Sequence, residues 1–276
     1  MTTTPTKVGR TPAGVGVLLK DWRGRRRRSQ LDLAHEAGVS PRHLSFVETG
    51  RSRPSPELVL TLAEHLDVPL RERNTLLLAA GYAPRFQETS LSDPDMLRIR
   101  ASLQQVLDSH DPYPGVVLDR RWDVVLANAA AMRLVSVLPP ELCAPVNVFR
   151  AGLHPDGLSG FTTNFDQWGA YLVHQLHRLV VLSDDRDLRA LETEVREYPT
   201  VRALTDRAGW RDWNETPLLV RCELELAGVS LALFTTLTTF GTPRDITLDE
   251  LAIELFYPAD DATEAALRGA AAVSSA

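Results

Sequence analysis

The chain has little cysteine: Cys143 and Cys222 are its only two, far apart and in apolar surroundings. That is too few for a disulfide framework, and no zinc-ligand spacing is present. Both are expected to be reduced core residues, since a free thiol buries readily. Lysine is almost missing too; Lys7 and Lys20 stand alone and every other base is arginine, which reads as coding bias. No apolar run approaches the ~18 residues that cross a bilayer. The opening "MTTTPTKVGR" has no hydrophobic centre of a secretory signal. A cytoplasmic location away from membranes is therefore expected. No P-loop, nucleophile elbow or G-x-G-x-x-G is present. The glycines of "AGLHPDGLSG" lack both the spacing and the flanking strand. His174 and His177 stand three apart, but no carboxylate or cysteine completes a metal set. Neither an enzyme, nor a metal, nor an obligate cofactor is expected.

What is present is an uneven distribution of charge. The net charge of −6 over 276 residues divides sharply. Residues 1–85 hold 14 Lys+Arg against 8 Asp+Glu, a net of +6, which leaves 16 against 28, a net of −12, for residues 86–276. A basic first third suits a polyanion and an acidic remainder does not, so two domains with different partners are expected.

The basic part reads as helices. "AGVGVLLKDW" at 13–22 places Val15, Leu18, Leu19 and Trp22 at helical spacing, although its glycines weaken it. Ser29 with Asp32 three residues on resembles a capping box, Leu33, Ala34 and Ala37 share a face, and Gly38 stops the helix. Ser40 then caps and Pro41 takes the first helical position, with Leu44 and Val47 facing inward and Gly50 ending it. Two short helices around a tight turn form a helix-turn-helix. A fourth helix starts at Ser55–Pro56 with a Leu58, Leu62, Leu66 stripe, and a fifth, "RERNTLLLAAGY", ends near Gly81.

Five short helices with this motif second and third resemble the lambda-repressor-like (XRE) DNA-binding domain. The carrying residues are "SQ" at 29–30, "LA" at 33–34, "AGVS" at 37–40, "LS" at 44–45, Glu48, Gly50 and "RP" at 53–54. The resemblance implies that the third helix enters the major groove. Its outer face carries Arg42, Ser45, Phe46 and Thr49 as base contacts: Arg42 suited to guanine, Phe46 to a thymine methyl. Gln30 matches the position that family members place against a phosphate. Arg26, Arg27, Arg28, Ser40, His43, Arg51 and Arg53 are further backbone candidates. The chain departs from the family at Arg28, which replaces the apolar residue that would staple onto Leu33. Glu48 is expected to brace the domain through an arginine. One such domain reads few base pairs, so a homodimer on double-stranded operator DNA is expected.

The sequence assigns 1–12 to a flexible N-terminus, 13–83 to the helix-turn-helix domain, 84–95 to a linker, 96–262 to a second domain and 263–276 to a flexible tail. The second domain opens with the amphipathic "MLRIRASLQQVLDSH" and a hairpin, "GVVLDRRWDVVLAN", turning at Asp119–Arg121. Asn128 caps a helix. "FDQWGAYLVHQLHRLVVL" and "DRDLRALETEVRE" are helical. "LVRCELEL" and "VSLALFTTLTTF" are strands around Gly228, and "ITLDELAIELFYP" returns as a third strand or a strand running into a helix. The order is α+β with an antiparallel sheet.

With the first domain, this resembles the MmyB-like transcription regulators, whose ligand-binding domain is PAS-like. "YPGVVLDRRWDVVLAN", "NVFRAGLHPDGL", "NFDQW" and "TTFGTPRDITLDELAIELFYPAD" carry the likeness. It implies a small hydrophobic, fatty-acid-like ligand between sheet and helices. Candidate apolar lining residues are Trp122, Phe149, Phe165, Trp168, Leu172, Leu176, Leu233, Phe234 and Phe240; plain core is the competing reading of each. Asn128, His154, Asn164 and Gln175 are candidate polar anchors, against simple solvation. The expected function is a one-component regulator of transcription. The alternative is a DNA-binding adaptor whose second domain docks a protein and holds no ligand.

Overall fold

The computed structural model describes residues 14–183, 185–208 and 219–274, so the segment 1–12 lies outside it. The chain divides into two compact units, residues 1–88 with 244–246, and residues 89–243 with 247–276.

The first unit is five helices: α1 (Val15–Arg25), α2 (Gln30–Glu36), α3 (Pro41–Glu48), α4 (Pro56–His65) and α5 (Leu70–Ala79). Each central helix starts where its serine allows. Ser29, Ser40 and Ser55 accept from the backbone N–H of Asp32, His43 and Leu58 at 3.1, 3.1 and 3.2 Å. These bonds satisfy donors that a helix start otherwise leaves unpaired. Leu19, Trp22, Leu33, Leu44, Val47, Leu62 and Leu77 fill one core. In α4 the buried row is Val59, Leu62 and Ala63 with Leu66 following, and the expected Leu58 is only half-buried.

Gly16 serves packing, not flexibility. A Cβ there would lie 2.2 Å from the Val47 carbonyl oxygen, so only glycine lets α1 approach the end of α3 this closely. Gly38 turns the chain from α2 to α3 at φ +66°, a conformation other residues adopt at a cost.

The second unit begins with α6 (Pro94–Ser109), β1 (Gly115–Leu118), β2 (Val124–Ala127), α7 (Ala129–Val135) and α8 (Val148–Leu153). Then follow α9 (Phe165–Ser183), α10 (Arg186–Arg196), α11 (Pro199–Ala208), β3 (Cys222–Leu226), β4 (Val229–Thr239), α12 (Ile246–Glu250), β5 (Ala252–Pro258) and α13 (Asp261–Ser274). The five strands form one antiparallel sheet in the order β2-β1-β5-β4-β3. The hairpin turn is as expected: Asp119 Oδ1 accepts from the N–H of Arg121 and Asp123 at 2.8 and 3.0 Å. Trp122 follows at φ +65° and sets its ring 5.0 Å from that of Phe149.

Side-chain alternation gives the sheet two faces. Val117, Leu126, Ile253 and Leu255 pack with Leu103 and Leu107 of α6. Val116, Leu118, Leu231, Leu233 and Phe256 belong to the larger core with Trp168, Leu172 and Leu176 of α9 and Leu267 of α13. This second face is called the inner face below.

Three expectations are corrected, the first being the core position of Cys143, which is exposed. "ITLDELAIELFYP" is a helix running into a strand, the reverse of the expected order, and β5 enters the middle of the sheet between β1 and β4. Residues 263–274 are not a tail but most of α13. Asp260 Oδ1 accepts from the Thr263 N–H at 2.7 Å to start that helix, and Thr263 and Leu267 are buried. The helix α11 was not anticipated.

Candidate functional site

The outer face of α3 carries Arg42 and Phe46, followed by Arg51. The Arg42 guanidinium lies 5.3 Å from the centre of the Phe46 ring, and that of Arg51 lies 5.9 Å from it. Two cations thus share one aromatic residue at the exposed side of the helix-turn-helix, an arrangement held by the ring's negative face. Ser45 is half-buried, and the Thr49 hydroxyl turns back to donate to the Ser45 carbonyl at 2.7 Å. Ser40 has the capping role already described, with His43 half-buried beside it.

Behind this face lies a polar brace. Glu48 is buried and accepts two bonds from Arg23, Nε to Oε1 at 2.7 Å and Nη2 to Oε2 at 2.9 Å. Gln30 Nε2 donates to Glu48 Oε2 at 2.6 Å. Burial pushes the Glu48 carboxyl upward, but the bonds from Arg23 and Gln30 outweigh it and hold the group below its ordinary value. The arginine expected for Glu48 is therefore Arg23, and the Gln30 amide faces the brace.

The arginine run divides by task. Arg25 and Arg26 stand 5.1 and 5.2 Å from the Trp22 ring. Arg26 donates to the Leu66 and Asp67 carbonyls at 2.9 Å each, closing the end of α4. Arg28 pairs with Glu36 at 3.0 Å on the surface. Arg27 is exposed, at φ +52°, with no side-chain partner among the described residues. Arg53, expected at a phosphate, donates to the Ala80 and Gly81 carbonyls at 3.0 and 3.2 Å and covers the Tyr82 ring at 4.8 Å. Helix C-termini present unpaired carbonyls that attract guanidinium groups, which explains both departures.

In the second unit, Trp122, Phe149, Trp168, Leu172, Leu176 and Leu233 do come together, all within the inner-face core, with Phe165 packed on it. Phe234 and Phe240 do not. Phe234 points the opposite way from Leu233 and stacks on Tyr257 at 5.3 Å, and Phe240 packs with the α6 cluster. The reason is the alternation of β4, which sets neighbouring residues on opposite faces.

The polar candidates are mostly structural. Asn128 is 1% exposed and fully engaged: Oδ1 accepts from Gly115 and Ala131 N–H at 3.0 Å, and Nδ2 donates to the Leu107 and Tyr113 carbonyls at 3.1 and 2.8 Å. Asn164 joins α9 to β3 through the Arg221 carbonyl at 2.8 Å and the Glu223 N–H at 3.1 Å. With Phe165 it also borders an open hollow of about 440 Å³. His154 packs edge-on against Tyr198 at 4.9 Å and accepts the Asp156 N–H at 3.1 Å. Gln175 is half-buried.

Comparison with known proteins agrees with this division. The helix-turn-helix family matches residues 19–73. The MmyB-like transcription regulator ligand binding domain matches residues 99–270, more than half of the chain. The chain belongs to the MmyB-like transcription regulators. Among solved structures it is similar to the PAS domain of Bordetella pertussis BvgS, at 16% identity over 66% of this chain and 99% of that one, with a TM-score of 0.26. No curated protein matches it.

In this MmyB-like regulator the second unit holds the ligand-binding domain. Its inner face holds one polar group that the sequence reading missed. Glu254 of β5 is 7% exposed, sits in the inner-face row with Phe256, and leaves Oε2 without a hydrogen-bond partner. Burial, offset only in part by the Thr235 hydroxyl, pushes its carboxyl up to about 7. The signal was an acid inside the apolar run "LAIELFYP", legible only once both faces of β5 are known to be covered.

Proposed function

We propose that this chain, a DNA-binding transcription regulator with a ligand-binding domain, reads operator DNA through the outer face of α3, as a homodimer in the cytoplasm. Its PAS-like domain senses a small apolar, fatty-acid-like molecule. In this reading Arg42 contacts guanine, Phe46 presses on a thymine methyl, and Ser45 and Thr49 border them. Arg27, Arg28, Arg51 and His43 lie toward the phosphates. The observation that carries it is the Phe46 ring flanked by Arg42 and Arg51. The ring and its two cations stand on the outward side of the second helix of the helix-turn-helix, where they can meet a base edge and the flanking phosphates together. The apolar inner core with Trp122, Phe149 and Trp168 supports the ligand half.

Selection of binding sites from random DNA tests the first half: the full chain should enrich a two-fold symmetric site with half-sites about one helical turn apart. Enrichment of single, unpaired sites would remove the homodimer. Native mass spectrometry followed by solvent extraction tests the second half. A co-purifying or titratable apolar molecule supports sensing, and its absence under both conditions returns the domain to a protein-docking adaptor.

A further inference from the structure

A buried carboxyl normally has partners for all its oxygens, and an orphan marks strain, function or a missing partner. Glu254 is such an orphan. It occupies a central strand, with Val116 of β1 and Leu237 of β4 as cross-strand neighbours. Neither brings a polar group to it. Its hydrogen-bonding neighbour is the Thr235 hydroxyl, and Oε2 has none. Tyr171 of α9 and Cys222 of β3 face it closely enough for its charge to raise both of theirs. Burial is the larger cause in each case, and it takes the Cys222 thiol to about 12. Both stay neutral wherever Glu254 titrates. No cation among the described residues stabilises the carboxylate.

The group also lies beside the solvent-exposed end of this face. Along the inner row of β4, Leu231 and Leu233 are buried, Thr235 is half-buried and Leu237 is 47% exposed. The orphan carboxyl thus lies one cross-strand step from the exposed apolar end of an otherwise buried face.

We infer that Glu254, with Thr235 and Tyr171, is the polar anchor of the ligand site and selects an apolar molecule with a hydrogen-bond-donating, positively charged amine head over one ending in a carboxylate. This rests on the ligand-sensing reading above, keeps only the apolar body of its fatty-acid-like ligand, and puts an amine where that ligand would carry a carboxylate. An ammonium supplies three donors and the missing countercharge. A carboxylate would place like charge against Glu254 in a region of weak screening, unless one proton were shared between them. The apolar body of the ligand is unchanged.

Calorimetric titration of the full chain with decylamine, decanol and decanoate, below their aggregation limits, tests this. Near pH 8 decylamine should bind roughly tenfold tighter than decanoate, a gap of about 1.4 kcal/mol. Lowering the pH to about 6 protonates Glu254 and should weaken the amine several-fold while leaving decanol unmoved. Glu254→Gln should abolish both the amine preference and its pH dependence, with decanol binding as the check that the variant folds. The pH dependence of the unaltered chain is an independent reading if that variant fails to fold. Equal or tighter binding of decanoate at pH 8, or an amine preference that survives Glu254→Gln, overturns the assignment of the head group and leaves the sensing domain intact. Binding of none of the three removes the sensing reading as well.

Discussion

Arg23 grips Glu48 through two parallel bonds, Nε to Oε1 at 2.7 Å and Nη2 to Oε2 at 2.9 Å, across the α1–α3 contact that Gly16 makes possible. The Gln30 amide adds a third bond from α2. Three helices thus converge on one carboxylate directly behind the Arg42–Phe46 face.

Removing that carboxylate leaves the Arg23 charge half-buried and unpaired. Glu48→Ala should destabilise the first domain by about 3 kcal/mol, the lower end for a broken buried pair because Arg23 retains some water. The Glu48 carboxyl titrates below its ordinary value of 4.5, so its contribution is fully present above that value and is lost as pH falls through the lower, folded-state value. Denaturant titration of the unaltered chain should show acid weakening of this domain, and of the Glu48→Ala variant less of it.

Arg42 and Arg51 flank the same ring yet should behave differently on DNA. Arg42→Ala should relax preference at one base pair, costing about 1–3 kcal/mol at that position alone, whereas Arg51→Ala should weaken all sequences and reduce the salt slope by about one. Fluorescence anisotropy over a range of salt concentrations separates them. Identical behaviour of the two variants would place α3 wrongly against the groove.

Arg53 makes the contrasting prediction. Its guanidinium closes the end of α5 on the Ala80 and Gly81 carbonyls. Arg53→Ala should lower the thermal midpoint of the first domain, by about 1–2 kcal/mol for charge-assisted bonds, and leave the salt slope of DNA binding unchanged. A reduced slope at full stability would return Arg53 to the phosphates.

Asn128 ties β1, α6 and α7 together with four bonds. Asn128→Ala orphans the Gly115 and Ala131 N–H groups and the Tyr113 carbonyl, while the Leu107 carbonyl keeps the His110 N–H at 3.0 Å, and should cost about 3 kcal/mol of second-domain stability. Asn128→Asp keeps the acceptor and loses both donors, so calorimetric unfolding should place it between the two.

Glu254 gives the second domain a pH dependence of opposite sense to that of Glu48. Its folded value is raised from 4.5 to about 7, so between those values the unfolded chain ionises while the folded one keeps its proton. The folded state binds more protons, and stability falls as pH rises through that window, by roughly 3 kcal/mol in all. Glu254→Gln should remove this decline. The ligand-free variant should therefore be more stable than the unaltered chain at pH 8 and close to it near pH 5, as read from denaturant midpoints.

Much of the first domain was legible because its signals are local. A serine three residues before an N–H, a proline at a first turn and a glycine at a left-handed turn act within one helix end. The same locality made the hairpin at Asp119 readable. Arg26 and Arg53 were misread because an exposed-looking arginine carries no mark of the distant carbonyls it reaches, 40 and 27 residues along the chain. Asn128 and Asn164 stood as candidate ligand anchors, but their partners are backbone groups of other elements, which sequence does not display.

The sequence by itself determined the helix-turn-helix, its outward residues, the alternating strands and the family, since each depends on contiguous residues and their period. Only the tertiary structure decided what each face meets. Placing β5 between β1 and β4 pairs both of its edges, and the clusters packed on its two faces turn Glu254 from one acid in an apolar run into an unpaired carboxyl inside the ligand-binding domain. Strand order is a long-range choice, set by which pairing buries most apolar surface. A period of two residues cannot specify it.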